Sequence, residues 1–193
     1  RAALRHILAE AIGARDRPLA PRFGAGAHGK PFLETIGDSA NHDIRFNLSH
    51  SGEWALVALT NGAEVGVDIE RREVNRPTPA LAKYAFSVIE FEQWSALDEE
   101  EKPGAFYRLW TRKEAYIKLL GKGLHLDLKS FDISHETDDV RLLDARHEDA
   151  SDRVCFASFD VDEEHQGALA IRGERDALER ISYWEWSPVA NHE

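Results

Sequence analysis

Asp68 and Glu70 stand two residues apart in EVGVDIE (64–70), a stretch whose β-branched residues read as a strand. Strand side chains alternate faces, so Val65, Val67 and Ile69 point into a core while Asp68 and Glu70 lie side by side on the other face. Two carboxylates so placed repel unless a cation lies between them. Magnesium suits such a pair, because it takes oxygen ligands and is usually shared with substrate phosphates. Taken alone, Asp-x-Glu on a strand is a weak sign, and a solvated strand end accounts for it more often. Glu114 and Lys118 add to it. They lie one turn apart in FYRLWTRKEAYIKLLGKGL (106–124) and share a helix stripe with Trp110. A third carboxylate could complete the protein ligands of a metal or act as a base, and Lys118 could neutralise a phosphate beside it. The plain alternative is a surface ion pair worth about 0.3–0.5 kcal/mol. Periodicity alone does not bring Glu114 to Asp68.

Two further segments could meet an anion. In FNLSHSGEW (46–54), Ser49 and His50 are expected in a turn between strands, where backbone N–H groups and an imidazole could face a phosphate. A turn serine making its own backbone bonds, beside an exposed histidine, explains the same residues. GAGAHGKP (24–31) matches two nucleotide motifs superficially. Pro31 stands where a phosphate-binding loop needs Ser or Thr, and no helix is expected to follow, so both motifs are rejected. Lys30 remains a candidate phosphate contact, as a point charge on a loop.

The elements that must position these residues are an amphipathic helix over Ala2–Ile12 and strands over Ile44–Leu48, Trp54–Thr60 and Glu64–Glu70. Pro18 to Pro31 reads as loop. Arg71 to Pro79 is polar and proline-bearing, a natural boundary. Beyond it, helices are expected over Ala80–Phe86 and Val88–Leu97, the second capped by Ser87, and the long helix is expected to start near Pro103. Asp138 to Arg153 reads as a loop or weak hairpin. Strands are expected over Val154–Val161, Ala168–Arg172 and Ile181–Trp186, with a short helix near Asp176–Arg180. Each half reads as helix followed by adjacent strands, which favours an antiparallel α+β fold. The halves are expected at 1–70 and 71–193.

The chain has 193 residues, enough for one medium domain or two packed halves. Its net charge of −11 argues against a nucleic-acid binder. No apolar run approaches the roughly 20 residues a membrane span needs, and no signal peptide is visible. Cys155 is the single cysteine, so no internal disulfide forms, which fits a cytoplasmic protein. The nine histidines are scattered, without zinc-site spacing. The helical pattern is already under way at Arg1 and there is no methionine, from which an upstream segment is expected.

Taken in order, GKP (29–31), FNLSHSGEWALVAL (46–59), VGVDIE (65–70), FSVIEFEQW (86–94) and FYRLWTRKEAYIKLLGKGL (106–124) resemble the 4′-phosphopantetheinyl transferase family, of the larger Sfp type. The resemblance runs from Arg1 to about Phe131; past residue 134 only a strand pattern remains. It implies two similar halves in pseudo-twofold arrangement, each with a small, mainly antiparallel sheet packed by helices, and coenzyme A in the cleft between them. It implies transfer of the phosphopantetheine arm to a serine of an acyl or peptidyl carrier protein, with magnesium required and manganese an alternative, and a monomer. Carried over residue by residue, it gives Asp68, Glu70 and Glu114 to the metal and Lys118 to the pyrophosphate. His50 and Ser49 fall at phosphate contacts, and Gly29, Lys30 and Pro31 beside the adenine and its 3′-phosphate. Arg1 matches an arginine at the head of the first long helix. Glu114, directly or through a metal-bound water, is the candidate base, with Lys118 and His50 supporting the developing charge. Because carrier proteins are usually acidic and this chain is too, a mainly apolar docking patch is expected near Phe86–Trp94 and Leu119–Leu124. Two other classes use the same residues: a magnesium-dependent hydrolase of nucleotide diphosphates, and a non-catalytic module that holds coenzyme A or a carrier.

Overall fold

The computed structural model describes residues 2–14, 21–34, 43–73, 78–123, 126–133, 142–145 and 154–186. Its elements are α1 (Ala2–Ala11), β1 (Arg22–Ala25), β2 (Pro31–Glu34), β3 (Ile44–Ser51), β4 (Trp54–Asn61), β5 (Val65–Arg71), α2 (Thr78–Ala85), α3 (Val88–Ser95), α4 (Lys102–Leu120), β6 (Phe131–Ile133), β7 (Leu142–Ala145), β8 (Val154–Asp160), β9 (His165–Arg172) and α5 (Asp176–Glu179). All strand pairs among the described residues are antiparallel, and the class is α+β. β1–β2, β3–β4 and β6–β7 are two-stranded, while β5, β9 and β8 form one sheet in that order. The expected boundary at 70/71 falls at the end of β5, whose hydrogen-bonded partner is β9, with Val65 opposite Ile171 and Arg71 opposite His165. β5 is also tied to β3, because Asn47 Oδ1 accepts the Val67 N–H at 3.0 Å.

α4 is the axis of the molecule. Pro103 lies in its first turn, where a missing N–H costs nothing, and Gly121 closes it in the left-handed region at φ 64°. Its 19 residues are buried almost all round. Between Thr111 and Leu119 only Glu114 and Lys118 are not buried. Thr111, Arg112 and Lys113, three polar residues in a row, are 0%, 1% and 0% exposed. Burial of such groups is tolerable only with partners. Thr111 Oγ1 donates to Tyr107 O at 2.9 Å, and Arg112 Nε donates to Ser158 Oγ at 2.8 Å. Lys113 Nζ donates to both Glu90 carboxylate oxygens, at 2.8 and 2.6 Å, and to Phe131 O at 2.9 Å. Glu90 is the third residue of α3, where it completes a capping box with Ser87, and it also accepts the Ile133 N–H at 2.8 Å.

Against α4 lies β5, and the two backbones touch at Gly66. A Cβ there would stand 2.0 Å from Ala115 O and 2.4 Å from Leu119 N. No residue with a side chain fits that gap.

Three expectations change. The stretch read as loop up to Pro31 holds the β1–β2 hairpin, with Gly26 N–H donating to Lys30 O and Gly29 at φ 85° in its turn. The Phe32 ring lies where a Cβ on Gly24 would go, so the glycines that mask the strand pattern are what let the ring cross it. β3 runs on through Ser51, so Ser49 and His50 are strand residues paired with Leu56 and Ala55, and the turn is Gly52-Glu53. The expected strand over Ile181–Trp186 finds no strand partner among the described residues. Tyr183 rests on Phe159 instead, with ring centres 5.5 Å apart.

Gly66→Ala is expected to destabilise the protein by at least about 1–3 kcal/mol, because the methyl group must force strand from helix. Chemical denaturation measures this; a loss below about 0.5 kcal/mol would contradict the contact.

Candidate active site

Strand alternation puts Gly66, Asp68 and Glu70 on one face of β5. Since Gly66 abuts Ala115 and Leu119, that face is the one turned to α4. Moving along β5 from Gly66 descends α4 toward its N-terminus. Asp68 meets Lys118, and Glu70 meets Trp110, whose indole Nε1 donates to Glu70 Oε1 at 3.0 Å. The stripe Trp110–Glu114–Lys118 therefore faces the carboxylates of β5, which periodicity alone could not establish.

β3 supplies the third wall. Leu48 and His50 are exposed, while Asn47 and Ser49 turn toward β5 and are buried. Ser49 Oγ donates to Asp68 Oδ1 at 2.9 Å and accepts from Lys118 Nζ at 2.7 Å. Lys118 Nζ also pairs with Asp68 Oδ1 at 2.7 Å. The other oxygen, Asp68 Oδ2, is buried without a hydrogen-bond partner. These groups line a cleft of about 430 Å³ together with Glu70, Glu114, His50, Leu48 and Ile69. The volume falls within the usual range for small-molecule sites.

The electrostatics are unbalanced toward negative charge. Burial pushes the Glu114 carboxyl up to about 6; repulsion from Asp68 and Glu70 adds to this and Lys118 opposes it. Burial also raises Asp68, against the pull of Lys118 and Ser49. An oxygen-only donor set with surplus charge and an orphaned carboxylate oxygen fits a hard cation such as magnesium. The fit is of chemistry, not of preformed geometry: among the described residues no group of three acidic, His or Cys side chains is arranged to hold a metal as it stands.

Ser49, His50, Asp68, Glu70, Glu114 and Lys118 are thus brought together. Gly29, Lys30 and Pro31 do not line this cleft, and Arg1 lies outside the described residues. Two contributors were missed. Trp110 fixes Glu70, and its place on the Glu114–Lys118 stripe was the signal. Asn47 docks β3 on β5, a role with no sequence signal beyond a polar residue within a strand. The tip of the β3–β4 hairpin is held as well: Trp54 Nε1 donates to Asp162 Oδ2 at 2.7 Å, and the same carboxylate contacts His165 Nδ1 at 2.8 Å.

Residues 64–180 match the 4′-phosphopantetheinyl transferase superfamily. A 4′-phosphopantetheinyl transferase of Bacillus subtilis is 34% identical over 157 residues, covering 79% of this chain and 63% of that protein. The 4′-phosphopantetheinyl transferase psf-1 of Bacillus pumilus is 32% identical over 169 residues, covering 88% and 67%. The chain belongs to this superfamily. It spans less than two thirds of the length of most of the curated relatives it matches: 63% of the first, and 46% of the 4′-phosphopantetheinyl transferase Sfp of Bacillus subtilis (strain 168). Among solved structures, the Chronobacterium ammoniagenes ACPS–CoA complex is 18% identical and covers 60% of this chain and 100% of that one, at a TM-score of 0.43, too loose a likeness to argue from.

A carboxyl held above its unfolded value binds its proton more tightly in the folded chain. Its stabilising effect is full below about pH 4.5 and is lost as pH rises through about 6. Glu114→Gln removes the charge and keeps the shape. It is expected to raise the melting temperature at pH 7 by about 2–4 °C for each kcal/mol relieved, and to bring no gain at pH 4. Thermal scans of both proteins from pH 4 to 8 measure this, and a lower melting temperature at pH 7 would contradict it.

Proposed function

We propose that this chain transfers the 4′-phosphopantetheine arm of coenzyme A to a serine of an acyl or peptidyl carrier protein, releasing adenosine 3′,5′-bisphosphate. The observation that carries this is the meeting of Asp68, Glu70, Glu114 and Lys118 from β5 and α4 in one cleft, in a chain of the transferase superfamily. The serine oxygen forms a bond to the β-phosphorus, the bond from that phosphorus to the bridging oxygen breaks, and the nucleotide leaves with the electron pair. Glu114 takes the serine proton, either directly or through a water. With its carboxyl pushed up to about 6 it is largely ionised at neutral pH, yet more basic than an exposed glutamate. Lys118 brings a cation to the pyrophosphate, held in place by Ser49 and Asp68 at 2.7 Å. His50 faces the open cleft from β3 and supplies an imidazole to a phosphate oxygen. Asp68, Glu70 and Glu114 would hold magnesium, or manganese, which when bound supplies charge neutralisation at the pyrophosphate.

Of the expected docking patch, Phe86, Trp94 and Leu119 are core residues. Its large exposed apolar side chains are Val88 and Ile89, 74% and 51% exposed; Tyr84, outside the expected range, is 70% exposed on the preceding helix, and we assign carrier docking to the surface these three form. A cytoplasmic monomer of two pseudo-twofold halves belongs to the same reading. The single cysteine supports the compartment, and no helix among the described residues is long and apolar enough to cross a membrane.

Mass spectrometry of an apo carrier protein incubated with this chain, coenzyme A and magnesium is the test. A gain of one phosphopantetheine is expected, abolished by chelation and reduced at least about a hundredfold by Glu114→Ala. Release of pantetheine phosphate without carrier modification would favour a hydrolase, and coenzyme A binding without transfer would leave a binding module.

A further inference from the structure

The Lys30 ammonium is fully engaged within the protein. Nζ donates to Glu64 Oε2 at 2.7 Å, to Leu119 O at 2.9 Å and to Val65 O at 3.2 Å. An ammonium has three N–H donors and no acceptor, so an incoming phosphate would have to displace one of these bonds. The acceptors belong to the start of β5 and the end of α4. Leu119 O is among the last carbonyls of the helix, which lack partners inside it, and a cation there also meets the negative end of the helix dipole. The stem is packed too: a Cβ on Gly121 would stand 3.0 Å from Lys30 Cδ. The carboxylate partner is itself held, since Arg45 Nη1 donates to Glu64 Oε1 at 3.2 Å.

We propose that Lys30 is a positioning residue. It anchors the last turn of α4 to the head of β5 and so sets the height at which Lys118 and Glu114 reach Asp68, instead of contacting the nucleotide's 3′-phosphate. The glycine turn that carries Lys30 is thereby fixed in one frame with the reacting groups. This rests on the transferase reading above.

Lys30→Met keeps the stem and removes the charge, and Glu64→Gln keeps Lys30 and removes its carboxylate partner. Transfer is measured with coenzyme A and with dephospho-coenzyme A, which lacks the 3′-phosphate. Positioning gives a kcat lowered about tenfold to a hundredfold in Lys30→Met, equally for both donors, with KM little changed. Glu64→Gln then gives a smaller loss in the same direction, and Lys30→Arg a partial rescue. A direct phosphate contact gives a different pattern, which would overturn the proposal: KM rises for coenzyme A alone, and Glu64→Gln leaves it unchanged or lower. Amide exchange read without substrate separates this proposal from the transferase reading. In Lys30→Met the amides of Ile117–Gly121 exchange faster while those of Ala105–Leu109 do not. A wild-type chain silent in transfer, with Lys30→Met still showing this exchange pattern, sinks the activity and keeps the anchor. Unchanged exchange in the last turn removes the anchor. If Lys30→Met does not fold, Glu64→Gln and Lys30→Arg carry the same comparisons.

Discussion

Direct contact between one strand backbone and one helix backbone governs this structure. Where Gly66 meets Ala115 and Leu119, nothing but main chain separates β5 from α4. The strand's twofold alternation and the helix's fourfold stripe are thereby locked in register. Carboxylates two and four residues beyond the glycine then face Lys118, Glu114 and Trp110 in turn. With a side chain at that point the elements would still pack, but at ordinary separation, and Lys118 would no longer sit within 2.7 Å of Asp68. The cleft follows from that closeness, and β3 completes it by docking Asn47 on the same strand.

The closeness has an electrostatic cost. Asp68, Glu70 and Glu114 share a partly buried space with one ammonium, and burial raises both Asp68 and Glu114. A fold selected only for stability would place fewer like charges there. On the proposed transferase function, the surplus leaves room for a cation and a phosphorylated substrate to complete the balance.

Much of this was legible in the sequence, because the relevant signals are local. Asp-x-Glu on a strand, the Trp110–Glu114–Lys118 stripe, the Ser87 cap and the Gly121 stop each depend on near neighbours. The order of the motifs then pointed to the family. What stayed hidden depends on distant partners. Arg112 and Lys113 look like a solvated face, and their burial is intelligible only once Ser158, Glu90 and Phe131 are in place. Ser49 looked like a turn residue because Ser-His-Ser-Gly is turn-like, whereas strand pairing carries β3 on to Ser51. Lys30 looked free because its acceptors lie 34 to 89 residues away in the chain.

The Glu90 carboxylate joins three segments: it caps α3, neutralises Lys113 of α4 and receives the Ile133 N–H of β6. Either charge alone would be stranded in an apolar interior, where an unpaired ion costs several kcal/mol, whereas replacing both together by apolar groups can be nearly neutral. Positions 90 and 113 therefore have almost no single-step route away from their present pair. Across diverging descendants of this chain they would be inherited as a unit, drifting together or not at all, while exposed polar positions of α3 such as Glu92 and Gln93 change freely.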